Sequence, residues 1–323
     1  MPLIISEKDL APLLQNPSAM DGLLPLIETS MADFNSDKVA GQVRLETSLS
    51  DIKKKYRITT SAVPHAGQGM RINALFRGAK NAYFIVLFDG ESGDLLALVA
   101  GRDLNVWRTA APAGVACKYL APHGADELGL IGSGRQARGQ ALALRRANPA
   151  LRKIKVFSPN RDNRETFAKE MSAWLGVNIE PTENPRVAVE NMSIVSLATS
   201  SRSTVIEPQW VKPGALVTTI TSGQLPREIV AGSRVIVSWK EEVLGGEVPR
   251  QPYMAMIADG SWSADQIAGE LGEVILDGIP ARKKGEETVV FECVGMSAWD
   301  TVTTAWAYRW AVANGVGTQF SLE

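Results

Sequence analysis

The sequence has few of the residues that tie a chain together through disulfides or metal ions. Cys117 and Cys293 are its only cysteines, and His65 and His123 are its only histidines. Two cysteines make neither a disulfide scaffold nor a metal cluster, and two histidines leave little room for a histidine-rich centre. We therefore expect no disulfide framework and no bound metal.

Long apolar stretches and an excess of one charge are also missing. No apolar run approaches the roughly 18 residues of a membrane-spanning helix. Residues 1–7 lack the basic and apolar regions of a signal peptide. The formal net charge is −1, from 34 basic and 35 acidic residues. These features argue against nucleic acid or a membrane as a partner, and they favour the cytoplasm as the compartment.

The chain is long enough for two domains, and its pattern of apolar residues changes along its length. Residues 7–34 are typical of helix and residues 39–98 of strands. From about Gly124, strands alternate with helices, which predicts an α/β fold with a parallel sheet covered by helices on both faces.

Apolar periodicity and turn residues define the individual segments. Asp9, Ser18 and Asp21 are candidate helix caps, and Asp89–Asp94 is typical of a hairpin connection. The predicted strands are 43–47, 57–63, 70–76, 81–88, 95–100, 128–131, 153–157, 194–197, 216–220 and 233–238, and the predicted later helices are 108–120, 137–147, 161–175, 264–270 and 298–314.

The most informative segment joins the apolar run 128–131 to the helix-forming run 137–147 through a glycine-containing turn. Gly132 permits backbone angles that other residues adopt only at a cost, and Gly134 leaves room for a pyrophosphate beside the backbone. Ala137 lets the helix pack close to the strand, and the free N–H groups of the helix favour phosphate. The expected dinucleotide-binding residues here are Gly132, Ser133, Gly134, Arg135, Gln136 and Ala137.

The next strand ends without the acidic residue that usually holds the ribose 2′-hydroxyl of NAD. Ser158, Asn160, Arg161 and Arg164 instead offer donors and positive charge, although Asp162 lies close by. This pattern favours NADP(H) over NAD(H). Thr199 and Ser200 follow a later apolar strand, where they would either line the cofactor at the carboxyl edge of the sheet or cap the loop.

Five blocks of sequence, in order, resemble the ornithine cyclodeaminase/μ-crystallin family. Together they cover nearly the whole chain, and the order of the set is more specific than any one block. The blocks are Trp107–Ala111, Gly132–Ala137, Glu207–Ala215, Glu270–Ile275 and Gly295–Asp300.

The resemblance implies a Rossmann domain, residues 124–298, inserted into a discontinuous α+β domain for substrate binding and dimerisation, residues 1–123 plus 299–323. Members of the family bind NAD or NADP and act on amino acids and imino acids. Gly295 and Asp300 match a block near the nicotinamide, although Asp300 is equally compatible with a helix N-cap.

The resemblance also implies a substrate site that contains Arg44, Arg71 and Arg108. Arg71 stands where the family has a lysine, and arginine stays charged, so it suits carboxylate binding better than proton donation. Three arginines make a dicarboxylic imino acid conceivable, because each guanidinium can bind one carboxylate. Gln224 falls near the position of an aspartate in the cyclodeaminases and cannot ionise.

These features together predict an NADP(H)-dependent reductase of a small imino acid, or the reverse amino-acid dehydrogenase, acting as a homodimer. One alternative is a lyase of the cyclodeaminase kind that holds NAD tightly, and another is a non-catalytic protein that binds nucleotide or a small ligand. His65 is either a proton donor to the substrate or a histidine in a surface loop.

Overall fold

A computed structural model describes residues 1–49, 54–76, 82–246 and 250–322. Its strands are β1 Leu3–Ile5, β2 Ala40–Leu49, β3 Lys54–Val63, β4 Gly67–Phe76, β5 Ala82–Phe88, β6 Leu95–Ala100, β7 Glu127–Ile131, β8 Lys153–Phe157, β9 Ile179–Pro181, β10 Ile194–Leu197, β11 Leu216–Thr219, β12 Arg234–Val237, β13 Ile267–Glu270, β14 Val289–Glu292 and β15 Thr318–Gln319. Its α-helices are α1 Glu7–Leu14, α2 Met20–Phe34, α3 Leu104–Leu120, α4 Arg135–Ala147, α5 Arg161–Leu175, α6 Pro185–Val189, α7 Arg227–Gly232, α8 Lys240–Gly245, α9 Tyr253–Ala258, α10 Leu271–Ile275 and α11 Ser297–Asn314.

Contacts along the chain divide it into two compact units. The first unit comprises Met1–Arg108 and Gly295–Glu323, and the second comprises Thr109–Val294. These contact units divide at 108/109, inside α3, and at 294/295, whereas the sequence predicts domain boundaries at 123/124 and 298/299.

A seven-stranded mixed sheet forms the first unit. Its strand order is β15-β1-β6-β5-β4-β3-β2, with β1 parallel to β6 and the other neighbours antiparallel. Helix α11 packs against β3 and β4 at a very close approach. A Cβ atom on Gly69 would lie 2.2 Å from Oγ1 of Thr301, and the hydroxyls of Ser61 and Thr301 are 2.6 Å apart. The last long helix thus belongs to the unit begun by the first hundred residues.

An eight-stranded parallel sheet forms the second unit. Its order is β13-β12-β14-β11-β10-β7-β8-β9, so the winding reverses between the neighbouring strands β7 and β10, and β14 returns between β11 and β12. Valines and other apolar residues of the central strands make its buried core. The predicted α/β class with a doubly wound parallel sheet is confirmed.

Some local predictions were wrong. The helix expected over 7–34 is broken at Asn16, which caps a short 3-10 turn, and Ser6 rather than Asp9 caps α1, in a reciprocal capping box. The helix expected over 264–270 is a 3-10 turn followed by β13, because Ile267–Glu270 pairs with β12 at the edge of the sheet.

Candidate functional site

The turn after β7 has the backbone geometry that its glycines predict. Gly132 has φ +120°, and a Cβ atom there would lie 2.4 Å from the carbonyl oxygen of Ala198. Gly134 is the N-cap of α4 with φ −80°, and a Cβ atom there would meet no atom within 4 Å. Gly132 is therefore required by the fold, whereas Gly134 keeps space open at the start of the helix.

A cleft of about 870 Å³ lies at this turn in the second unit. It lies where the winding of the sheet reverses between β7 and β10, which is the usual ligand site of open α/β sheets. The residues that line it include Gly132, Ser133, Gly134, Arg135, Gln136, Phe157, Ser158, Asn160, Thr199, Ser200, Ser201 and Thr221. Among the described lining residues Arg135 is the only charged one, so the cleft offers a cation and backbone donors to an anion.

The loop after β8 brings some of its predicted residues to the cleft and not others. Ser158 and Asn160 line it, and the Ser158 hydroxyl accepts a hydrogen bond from the Ser133 hydroxyl at 2.8 Å. Arg164 is buried and donates to the carbonyl oxygen of Ser158 at 3.2 Å, which supports the loop from within. Arg161 is exposed at the start of α5 and pairs with Glu165 at 2.6 Å. Neither arginine is among the residues that line the cleft.

Gln224 organises the loop that carries Thr199 and Ser200. Its Nε2 donates to the carbonyl oxygen of Thr199 at 2.9 Å, to Oγ1 of Thr199 at 2.7 Å and to the carbonyl oxygen of Ser201 at 3.0 Å. The side chain is fully buried. The amide thus holds one wall of the cleft, a role that an ionised carboxylate could not fill because it has no donor.

The first unit contains a separate cluster in which Arg71 and Arg108 share the carboxylate of Asp300. Nη1 of Arg71 lies 2.8 Å from Oδ2 of Asp300, and Nε of Arg108 lies 3.2 Å from Oδ1. Nε of Arg108 also donates to Oδ1 of Asn105 at 3.0 Å. The side chains of Arg71, Arg108 and Asp300 are 7%, 14% and 6% exposed, so water screens the cluster little.

In this cluster one carboxylate is shared between two guanidinium groups. Nε of Arg71 is buried and has no hydrogen-bond partner among the described residues. Because an unsatisfied buried donor is costly, the cluster suits an additional anion such as a carboxylate.

Gly295 and Asp300 occupy distinct places around Arg108. A Cβ atom on Gly295 would lie 3.0 Å from Nη1 of Arg108, so the glycine gives the guanidinium room. Asp300 lies inside α11, whose N-cap is Met296, and the N-cap interpretation of Asp300 is wrong. Both residues lie beside Arg108 in the first unit, and their predicted place near the nicotinamide stays a prediction.

Arg44 lies on β2 of the same sheet, and His65 lies in the turn between β3 and β4. In the backbone register Arg44 pairs with Thr59, and Thr59 pairs with Arg71, so the three positions form one row across β2, β3 and β4. His65 lies in the exposed β3–β4 turn with φ +60°, where its carbonyl oxygen accepts a hydrogen bond from Arg309.

The second unit thus combines a doubly wound parallel sheet with a cleft at its glycine turn, and the first unit contains the arginine cluster. The chain belongs to the ornithine cyclodeaminase/mu-crystallin family, whose sequence profile matches residues 18–314. This confirms the resemblance carried by the five sequence blocks.

Individual relatives share much of the chain. It is 30% identical over 241 residues to the Delta(1)-pyrroline-2-carboxylate reductase of Bacillus cereus, which covers 73% of each chain. It is 24% identical to the ketimine reductase mu-crystallin of Mus musculus, over 88% of this chain and 91% of the relative. The solved structure of Thermococcus litoralis Delta(1)-pyrroline-2-carboxylate reductase in complex with NADH and L-proline matches with a TM-score of 0.88 and 27% identity, over 98% of this chain and 100% of that one.

No helix in the described ranges combines the length and apolar character needed to cross a membrane.

Proposed function

We propose that this protein is an NAD(P)H-dependent reductase of a small imino acid, working on C=N bonds or, in reverse, on amino acids. The observation that carries the proposal is the buried pair Arg71 and Arg108 with its unfilled donor, which suits the carboxylate of such a substrate. Relatives named as pyrroline-2-carboxylate and ketimine reductases support the reaction class.

The cleft in the second unit fits a dinucleotide. Its volume of about 870 Å³ is within the usual range for ligand pockets, and the open face of Gly134 at the start of α4 leaves the backbone accessible to a pyrophosphate. A bound nicotinamide would supply the hydride. The protein's own contribution is to bind and orient, since the redox chemistry belongs to the cofactor.

The arginine at position 71 bears on the source of the proton that the imine nitrogen needs for reduction. The guanidinium of Arg71 is a fixed hydrogen-bonding fork that suits carboxylate binding better than proton donation. A substrate that binds as an iminium already carries the proton that reduction requires. Gln224 is occupied with the Thr199–Ser201 loop and cannot ionise, which favours reduction over cyclodeamination.

Activity is tested by NADPH and NADH oxidation, followed by absorbance, with pyrroline-2-carboxylate and with a panel of α-keto acids plus ammonia or methylamine. Arg108→Ala should lower catalytic efficiency about 10- to 100-fold, mainly through the substrate constant, because it removes a charge-assisted hydrogen bond. Cofactor affinity should stay nearly unchanged. Arg102→Ala, an exposed arginine in the preceding turn, is the matched control. Normal efficiency in Arg108→Ala would place the substrate elsewhere.

We propose NADP(H) as the preferred cofactor. The described lining of the cleft contains no carboxylate, and Arg161 stands at the N-terminus of α5, where it can exchange Glu165 for a phosphate. Arg161→Ala should weaken NADPH binding and leave NADH binding unchanged. Arg152→Ala, before the opposite end of β8, should change neither. Tighter binding of NADH than NADPH by the unmodified protein would contradict this preference.

We also propose that the protein is a homodimer formed through the first unit. Four apolar residues, one on each of the neighbouring strands β2 to β5, lie side by side in one row across its sheet. They are Leu45, Ile58, Ile72 and Phe84. Leu45 and Phe84 are 59% and 41% exposed. A second copy of the chain can cover this apolar row, which would otherwise stay in contact with water.

A further inference from the structure

Glu292 is a buried carboxyl group that none of the proposed chemistry uses. It is the last residue of β14 and is 1% exposed. Its register neighbours are Thr219 on β11 and Val237 on β12, and neither side chain titrates. Val290 and Val294, two residues away on either side, belong to the apolar core. A carboxyl group in such surroundings is costly unless it is paired or protonated.

Arg250 acts on Glu292 electrostatically. Nη1 of Arg250 lies 3.3 Å from Oε1, and Arg250 is itself mostly buried. Tyr253 on α9 is fully buried, and its hydroxyl has no hydrogen-bond partner among the described residues. Burial raises the pKa of Glu292 to about 7, and the Arg250 guanidinium keeps it from rising further. The carboxyl group therefore changes charge near neutral pH.

Gln251, the residue after Arg250, is hydrogen-bonded to the loop that follows β11. The backbone N–H of Gln251 donates to Oγ of Ser222 at 2.9 Å, and the N–H of Gly223 donates to the carbonyl oxygen of Gln251 at 2.8 Å. These two bonds fix the position of the loop immediately before Gln224.

Gln224 connects this loop to the wall of the cleft. Its amide holds Thr199 and Ser201, and the Thr221 hydroxyl donates to the Thr199 carbonyl oxygen at 3.0 Å. Thr199, Ser201 and Thr221 all line the cleft. A continuous set of contacts thus joins Glu292 to the wall of the nucleotide site.

We propose that Glu292 is a positioning residue for the dinucleotide cleft, acting through Arg250 and the 222–224 loop. The ionised carboxylate holds Arg250 in place, which fixes the loop and, through Gln224, the Thr199–Ser201 wall. Protonation releases Arg250 and loosens this wall. The inference rests on the proposed function, since it takes the ligand of the cleft to be a nicotinamide dinucleotide.

The consequence is a pH-dependent affinity with a defined direction. If the cleft is best formed with Glu292 ionised, the dinucleotide binds more tightly above pH 7 than below it. By reciprocity, bound dinucleotide lowers the pKa of Glu292. NADH is the appropriate probe, because NADPH carries a 2′-phosphate that itself titrates in this range.

The test is the Kd of NADH, measured by fluorescence titration between pH 6.5 and 8.5. In the unmodified protein the Kd should be about two- to threefold higher at pH 6.5 than at pH 8.5, because a fivefold coupling to a group with a pKa of about 7 is only partly expressed over this range. Glu292→Gln should give a Kd that does not vary with pH and stays near the low-pH value. Arg250→Gln, which removes the other half of the ion pair, should likewise give a Kd near the low-pH value.

Glu190→Gln, an exposed carboxylate variant in the same unit, is the control and should keep the unmodified profile. A flat profile in the unmodified protein, or one that persists in Glu292→Gln, overturns the role of Glu292. If Glu292→Gln fails to fold, Arg250→Gln tests the proposal independently, and an unmodified pH profile in that variant overturns it. Absence of NADH binding at every pH refutes the proposed function itself, and the inference with it.

Discussion

Positions 132 and 134 are both occupied by glycine, but for different physical reasons. Gly132 combines a positive φ with a close approach to the backbone of Ala198, so any side chain strains the fold. Gly134 has an ordinary φ and faces open space. A side chain there costs the folded protein little and obstructs only what binds in that space.

The two alanine substitutions should therefore separate stability from binding. Gly132→Ala should lower the free energy of unfolding by about 2–4 kcal/mol, through backbone strain and overpacking. Gly134→Ala should leave the unfolding free energy nearly unchanged and weaken NADH binding about tenfold or more, because it keeps phosphate from the backbone donors. Chemical denaturation and NADH titration check the pair. Unchanged NADH affinity in Gly134→Ala would show that the glycine turn is not part of the dinucleotide site.

Among the elements, α11 shows how closely a helix can be fitted to a sheet. Gly69 on β4 and Thr301 on α11 come so near that a single methyl group cannot be inserted without displacing backbone. Gly69→Ala should lower the free energy of unfolding by about 1–3 kcal/mol.

Gly22→Ala, inside α2, is the matched control in the same unit. Its Cβ atom would make only an ordinary 3.4 Å contact with Trp306, and alanine is the better helix former. This variant should be more stable by about 0.5–1 kcal/mol. Thermal and urea unfolding of both variants test the contrast; equal stability would show that α11 can shift away from β4 without cost.

Elements whose signals are local could be predicted from the sequence. Strands β2 to β8 have apolar or β-branched runs bounded by turn residues, and the glycine turn carries its own backbone requirement. Residues 264–270 contain helix-forming residues, yet Ile267–Glu270 is a strand because β12 pairs with it. Strand β14 was not predicted, although its valines and phenylalanine are typical of a strand and it lies between β11 and β12.

The same distinction holds for the candidate site. The family resemblance pointed to Arg71 and Arg108, but their shared carboxylate could not be derived from local spacing. Asp300 is far from both in sequence, and its helix could equally have used it near the N-terminus. Glu292, which the sequence analysis did not single out, gives no signal at all, since only the fold surrounds it with valines.

At the scale of the whole molecule, the exposed apolar row of the first unit makes its assembly testable. Light scattering at micromolar concentration should give twice the chain mass of 34.8 kDa. Phe84→Lys should give a monomer, because a buried unpaired ammonium group opposes association. Val312→Lys, at an exposed apolar position on α11 outside this row, should remain dimeric. A monomeric unmodified protein would contradict the assembly.

The burial of Glu292 should also be visible in the stability of the fold. An unfolded glutamate ionises near pH 4.5, whereas folded Glu292 keeps its proton up to about pH 7. Between these values the folded state binds the extra proton, so stability falls as the pH rises, by about 3 kcal/mol in all. Glu292→Gln should lack this loss and be the more stable protein at pH 8. Parallel pH dependences of the two unfolding free energies would contradict the burial of an ionisable group.

The interrupted first unit has a consequence for synthesis on the ribosome. Strands β2 to β6 emerge early, but α11, which packs on them, emerges only after Thr109–Val294. At about 5–20 residues per second that interval lasts about 10–40 s, far longer than a hairpin takes to form. During it Arg71 and Arg108 have no Asp300, and the face that meets α11 stays open to chaperones and to other nascent chains. The arginine cluster comes into existence only when the last helix docks.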